Sequence, residues 1–295
     1  MMTKRVQLPL WKGPSWYENL REKEEALIPE AKKEHHRYRL LSANGKTGVS
    51  INFPISQTCR PTKICGDTCY AANPQAPSTW PKSLIKWLRN YYFVCNTPPE
   101  KVADLMAKEL RSAKKLWDRR GVTLDFLRVN GVGDLFPEMI PVINYFTSHH
   151  PFKLWVITRK FELAAQIAPS PTLYLQLSLD RSTTAKDREA ALELVRTRPR
   201  AYLSYLRTKK ADATMGAAIV FNEKRREDLP FNSKTDCPVD ADKLELDNIP
   251  GVGGTACAKC RKCFSDKTLE RQREMLAEAQ EEKPQRVLQE KVLRA

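Results

Sequence analysis

The 295-residue chain contains no apolar run near the roughly 20 residues that a membrane helix needs, so no membrane partner is expected. Its first residues, MMTKRVQLPLWKGPSW, are basic but lack an apolar h-region and a small-residue cleavage site. They do not read as a secretory signal, and the expected location is cytoplasmic. There is no internal repeat, low-complexity tract, P-loop, nucleophile elbow or zinc-protease motif. Histidine is scarce: His35, His36, His149 and His150 come as two adjacent pairs. Neighbours on a helix or strand do not converge on one ion, so a metal-dependent hydrolase lacks its usual ligands. Acidic residues are also in deficit, 35 against 50 Lys and Arg, for a net charge of +15. That balance fits a polyanionic partner, nucleic acid first, and equally a merely solvated basic surface.

The apolar content of 41% and charged content of 29% are those of a globular chain, long enough for one large domain or two smaller ones. Residues 1–46 are polar and mixed, with a helical stretch broken at Pro29, and read as an N-terminal extension. From 47 to 225, short β-rich runs alternate with helical patterns. The runs are GVSINF (48–53), TLDFLRVN (123–130), KLWVIT (153–158), TLYLQLSL (172–179), AYLSYL (201–206) and AAIVF (217–221). Between them, residues 100–120 place Val102, Leu105, Met106, Leu110, Ala113 and Trp117 on one helical face. Such alternation predicts an α/β fold with parallel strands and right-handed crossovers: a partial (β/α)6 TIM-like barrel, or else an open doubly wound sheet. A cysteine-rich C-terminal extension follows over 226–265. Residues 266–295 read as a charged helix, docked or solvated.

In such folds, ligands meet the loops at the C-terminal ends of the strands. Here those loops carry TCRPTKICGDTCY, GVGDLF, RK, DRS, RTKK and NEK, which together describe a cup. Seven of the eight cysteines fall into two groups, and Cys95 stands alone as a small apolar residue. In a chain read as cytoplasmic, grouped thiols point to metal ligation. Cys59, Cys65 and Cys69, spaced C-x5-C-x3-C, leave a metal or cluster one ligand short. Cys237, Cys257, Cys260 and Cys263, spaced C-x19-C-x2-C-x2-C, can close a zinc site or hold a 4Fe-4S cluster, and the compact C-x2-C-x2-C run favours the cluster. A 4Fe-4S cluster on three thiolates has one open iron able to chelate S-adenosylmethionine. Asp134 can accept from that cofactor's ammonium, Arg159 can hold its carboxylate and Tyr70 can stack on its adenine. Gly133 is expected to hold the ammonium together with Asp134, and Asp180 is a further candidate cofactor-binding residue. Structural readings compete: Asp134 as a helix cap, and Arg159 with Asp180 as an ion pair.

The three-cysteine loop after strand one, the glycine–acid loop after strand two and the βα progression resemble the radical S-adenosylmethionine superfamily. The distal cysteines resemble its auxiliary-cluster extensions. More closely, TCRPTKICGDTCYA, FLRVNGVGDLF, LWVITRK, CPVD and CAKCRKC are similar to the phage and plasmid gene product 88 family, across about residues 48 to 264. The first loop departs from the superfamily's C-x3-C-x2-C, with Thr68 before and Tyr70 after the third cysteine, and GVGD stands where glycine–glycine–glutamate is usual. The resemblance implies a divergent radical enzyme acting on nucleic acid or a nucleic-acid-associated substrate, with two 4Fe-4S clusters, S-adenosylmethionine and an external reductant. The alternative is a non-enzymatic iron–sulfur or zinc factor that binds nucleic acid.

Overall fold

The computed structural model describes residues 16–33, 39–72, 80–212, 214, 216–222, 229, 231–238, 248–249 and 253–277. Seven strands form one sheet in the order β1 (Leu41–Asn44), β2 (Gly48–Ile51), β3 (Phe126–Val129), β4 (Lys153–Thr158), β5 (Leu173–Leu179), β6 (Ala201–Arg207) and β7 (Ile219–Asn222). β1 pairs antiparallel with β2, and every later pairing is parallel. Each of the six β-rich runs coincides with one of the strands β2 to β7. β1 lies within the segment read as an N-terminal extension, and was not legible because LSAN is short and carries two polar residues. A doubly wound sheet requires the strand order to reverse, and here it never does. The fold is therefore mixed α/β with a mostly parallel, open sheet, and among the described residues no ladder joins β1 to β7.

Two short helices, α1 (Trp16–Ala26) and α2 (Ile28–Ala31), precede the sheet, and α3 (Ile55–Thr58) and α4 (Lys63–Asp67) follow β2. α5 (Pro81–Asn96) and α6 (Pro99–Asp118) lead to β3, α7 (Met139–His149) to β4, α8 (Phe161–Ala164) to β5 and α9 (Ala185–Thr197) to β6. Among the described residues no helix intervenes between β6 and β7.

The register gives the sheet two unlike faces. Ile51, Val129, Val156, Leu175 and Ala201 stand in one row across five strands, each almost wholly buried. This apolar face shares its core with the buried sides of α6, α7 and α9. The predicted stripe on 100–120 holds: Val102, Met106, Leu110 and Trp117 are fully buried, with Leu105 and Ala113 packed at the margin.

The alternate positions form a polar face, with Ser50, Arg128, Trp155 and Tyr174 in one row and Gln176 opposite Tyr202. Burying this face requires its polar groups to be partnered. Trp155 Nε1 donates to Gln176 Oε1 at 2.9 Å, and Gln176 Nε2 donates to Ser204 Oγ at 2.9 Å. Phe264 covers the starts of the strands, stacked on Phe126 at 4.1 Å and tilted against Trp155 at 5.7 Å. A helix over 266–277 then docks at the sheet, where Gln272 accepts from Leu203 N at 2.7 Å and donates to Gly216 O at 2.9 Å. Residues 278–295 of the expected terminal helix lie outside the described residues.

The two ends of the sheet also approach each other. The Lys46 ammonium, on the β1–β2 turn, lies 5.3 Å from the Phe221 ring centroid on β7. Phe264→Ala should cost about 3–5 kcal/mol, because the ring is fully buried and stacked and its removal leaves a cavity against β3 and β4. Urea denaturation of the intact chain measures this.

Candidate functional site

The first cysteine group is assembled where β2 to β5 end. After β2 the chain turns through α3 and α4, with Cys59, Cys65 and Cys69 spread over these short helices and their flanks. Thr62 caps α4, accepting from Cys65 N at 3.2 Å, and also donates to Asp180 Oδ2 at 2.5 Å beyond β5. Ile64 N donates to Ser182 Oγ at 3.2 Å. The loop is thereby held to the end of β5, and the charge of the Arg159 guanidinium acts on Cys65 from nearby. Cys59 and Cys69 pack instead against the apolar cluster of Leu20, Ile55 and Trp87.

The GVGD loop after β3 fits against the same turn by close approach. Gly133 has φ +84°, and a Cβ there would stand 2.7 Å from Phe53 O and 2.8 Å from Thr58 Oγ1. A Cβ on Gly131 would collide with Asn52 Oδ1. These glycines are required for packing before any ligand is considered. Asp134 is buried; its N–H donates to Thr58 Oγ1 at 3.0 Å, and its Oδ1 accepts from Leu135 N at 2.7 Å and Thr158 Oγ1 at 2.6 Å. Oδ2 has a longer contact, 3.3 Å from Arg159 N. Asp134 does not cap a helix: α7 begins at Met139, and Glu138 stands at its N-cap.

The expected pairing of Arg159 with Asp180 is present at 2.9 Å, with Asp180 wholly buried. Asp180 Oδ1 also accepts from Ser182 N at 2.8 Å and Ser182 Oγ at 2.7 Å. The structure therefore brings Cys59, Cys65, Cys69, Gly133, Asp134, Arg159 and Asp180 to one end of the sheet. Tyr70 begins the short turn Tyr70–Ala72, but its side chain lies outside the described residues. Cys95, on α5, faces Tyr91 and Glu138 and stands apart from this group.

All eight cysteines carry thiols, with no disulfide between them. Burial pushes the Cys59 thiol well above its ordinary pKa, with the Asp134 carboxylate and the neighbouring thiols adding to the effect. Burial also raises Cys65, against the pull of Arg159, and takes Cys69 to about 11. Burial likewise raises Asp134, opposed by its bonds from Thr158 and Leu135. Without a metal these thiols hold their protons at neutral pH, so ligation must release them. Among the described residues, no three His, Cys, Asp or Glu side chains stand arranged to hold a metal ion. The thiols share a neighbourhood without forming a finished coordination shell, which falls short of what their spacing led us to expect.

The sequence matches the gene product 88 family model over residues 14–266. The chain belongs to the gene product 88 family. No curated protein and no solved structure matches it. The gene product 88 match spans both cysteine groups and all seven strands, so the whole scaffold around them is family sequence.

The second cysteine group lies at the opposite end of the sheet. Arg261 donates to Asp125 just before β3 at 2.6 Å, and the Tyr202 hydroxyl at the start of β6 donates to Cys263 O at 2.6 Å. The seven-residue β5 sets the separation between the two ends at roughly 20 Å. Cys237, Cys257, Cys260 and Cys263 line a single cavity with Lys46, Arg261 and Lys262. Burial takes Cys257 to about 12 and pushes Cys263 well above its ordinary value, while Lys46 opposes both. Among the described residues no helix is long and apolar enough to cross a membrane.

Sequence reasoning missed Glu24, on α1, which sits fully buried beneath the first group. Its carboxylate accepts from Ile55 N at 3.1 Å and Ser56 N at 2.7 Å, capping α3 from a distant helix. No local pattern signals such a contact across 31 residues. Tyr17 on the same helix donates to Cys59 O at 3.3 Å. Burial lifts the Glu24 pKa to about 7 from the ordinary 4.5. A raised carboxyl pKa contributes stability that is fully present below about 4.5 and lost as pH rises through about 7, on the order of 3 kcal/mol. The stability of the native chain minus that of Glu24→Gln should therefore fall across this window. Urea titrations of both at several pH values test it, and a flat difference would show that the buried carboxyl is not responsible.

Proposed function

We propose that the chain is a divergent iron–sulfur enzyme of the radical S-adenosylmethionine type, acting on nucleic acid or a nucleic-acid-associated substrate. The observation that carries this reading is the gathering of Cys59, Cys65 and Cys69 with Asp134 and Arg159 at the C-terminal ends of parallel strands. Two further features favour a partial (β/α)6 barrel around that mouth: the unreversed strand order and the approach of Lys46 to Phe221. Ligands of such folds meet the loops at this end.

In this reading Cys59, Cys65 and Cys69 hold a 4Fe-4S cluster. When bound and reduced by an external one-electron donor, that cluster supplies the electron that breaks the sulfur–carbon bond of S-adenosylmethionine, giving methionine and a deoxyadenosyl radical. Asp134 Oδ2, whose contact is long, has acceptor capacity for the cofactor's ammonium. Gly133 keeps the backbone close beneath it. Arg159 keeps its Nη1 bond to Asp180 and offers its remaining N–H donors to the cofactor's carboxylate, so that Asp180 stays paired and held by Thr62 and Ser182. Tyr70 offers the surface for adenine. The +15 charge favours a polyanionic substrate.

One observation favours the alternative of a non-enzymatic nucleic-acid-binding factor: Asp134, Arg159 and Asp180 already satisfy one another and their neighbours. The two readings differ in solution. Anaerobically reconstituted protein should bind iron and sulfide, lose the first centre in Cys65→Ala, and release 5′-deoxyadenosine from S-adenosylmethionine when reduced. Asp134→Asn should weaken cofactor binding roughly tenfold or more while keeping its iron, since one charged acceptor is lost and Oδ1 is retained. A reduced, cluster-replete chain that yields no deoxyadenosine decides for the alternative.

Nucleic-acid binding should also weaken steeply with salt, by about a hundredfold from about 50 to 200 mM if about four phosphates are contacted. Affinity independent of salt in a filter-binding titration would point to another substrate class.

A further inference from the structure

The second cysteine group lies where the open sheet has its seam. Cys237 N donates to Val220 O at 2.8 Å, fastening that residue to the outer edge of β7. Cys257 N donates to Lys46 O at 3.1 Å, fastening that residue to the β1–β2 turn at the other edge. α10 (Ala256–Cys260) carries Cys257 and Cys260, and Cys263 follows in the turn Lys262–Phe264. The preceding backbone is tightly seated: a Cβ on Gly253, at φ +88°, would lie 2.5 Å from both Asn44 O and Gly48 O. Segments bound to opposite edges of the sheet thus bring four thiols to one cavity.

We propose that Cys237, Cys257, Cys260 and Cys263 hold a thiophilic metal centre that staples the first hairpin to the last strand, a structural role independent of the chemistry proposed for the first group. Buried cysteines also occur as small apolar residues, but that role does not account for four of them on the walls of one cavity. Apolar packing is thin on the Cys237 side: among the described residues, Cys237 and Ala256 form a small cluster with Phe221 against it, whereas Cys257 and Cys263 join the main core. The thiols do not yet converge on an ion, and ligation draws the sulfurs inward from the walls they line. Four thiols lose their protons to solvent as the metal binds, and Lys46, Arg261 and Lys262 around the cavity offset the resulting negative charge. Zinc and a 4Fe-4S cluster share this ligand chemistry. The position at the strand starts is the end where βα folds build stability and not catalysis.

The test is metal and sulfide analysis of the full chain, reconstituted with zinc or anaerobically with iron and sulfide, beside Cys65→Ser and Cys260→Ser. Cys65→Ser should keep one centre that Cys260→Ser loses, with zinc alone identifying an ion and iron with sulfide a cluster. Equal content in the native chain and Cys65→Ser would remove the first centre and leave this one standing. Cobalt titration of Cys65→Ser needs no change in the second group: a thiolate charge-transfer band saturating at one cobalt per chain supports the site, and no band overturns it. Stripping the metal should raise hydrogen exchange about tenfold or more in both residues 41–51 and 219–222. Bound metal with unchanged exchange at either edge would overturn the staple.

Discussion

The C-terminal mouth of the sheet depends on the neutralisation of one buried carboxylate. Asp180 is wholly buried, and a charge in that position is tolerated only when paired and hydrogen-bonded. Arg159 supplies the charge from the end of β4, Thr62 a hydroxyl from the cysteine loop, and Ser182 two donors from its own turn. Three separate segments are thereby fixed to one another. Asp134 repeats the device two strands over, joining the GVGD loop after β3 to Thr158 on β4. Because Thr62 serves both Asp180 and Cys65 N, the orientation of the thiol loop follows from the same carboxylate.

The two cysteine groups are chemically alike and structurally opposite. The first sits among charged residues at strand ends, on short helices fastened by side-chain hydrogen bonds, with α1 pressed beneath it through Glu24 and Tyr17. The second sits beside aromatic packing at strand starts, where Phe264, Phe126 and Trp155 form a continuous apolar patch. The polar face of the sheet runs between them, its amides and hydroxyls partnered within the protein. One face lies under helices and is apolar, while the other is polar and covered by the chain's own later segments, which explains why the strands mix leucine with serine, glutamine and tryptophan.

The six parallel strands and the stripe on 100–120 were legible in the sequence, because periodicity is a local property set by which face is buried. The two thiol groups and the acids and cations that follow the strands were also legible, since their spacing and their place after each run are local. Tertiary structure decided the rest. It placed the two groups at opposite ends of the sheet, engaged Asp134 and Arg159 with protein partners, added β1 beside β2 and put Glu24 beneath the first loop. Only packing determines those outcomes, because the contacts that fix the site join residues far apart in the chain: 118 positions from Thr62 to Asp180 and 136 from Asp125 to Arg261. No local pattern encodes such distances, and burial then compels each polar group brought inside to find a partner there.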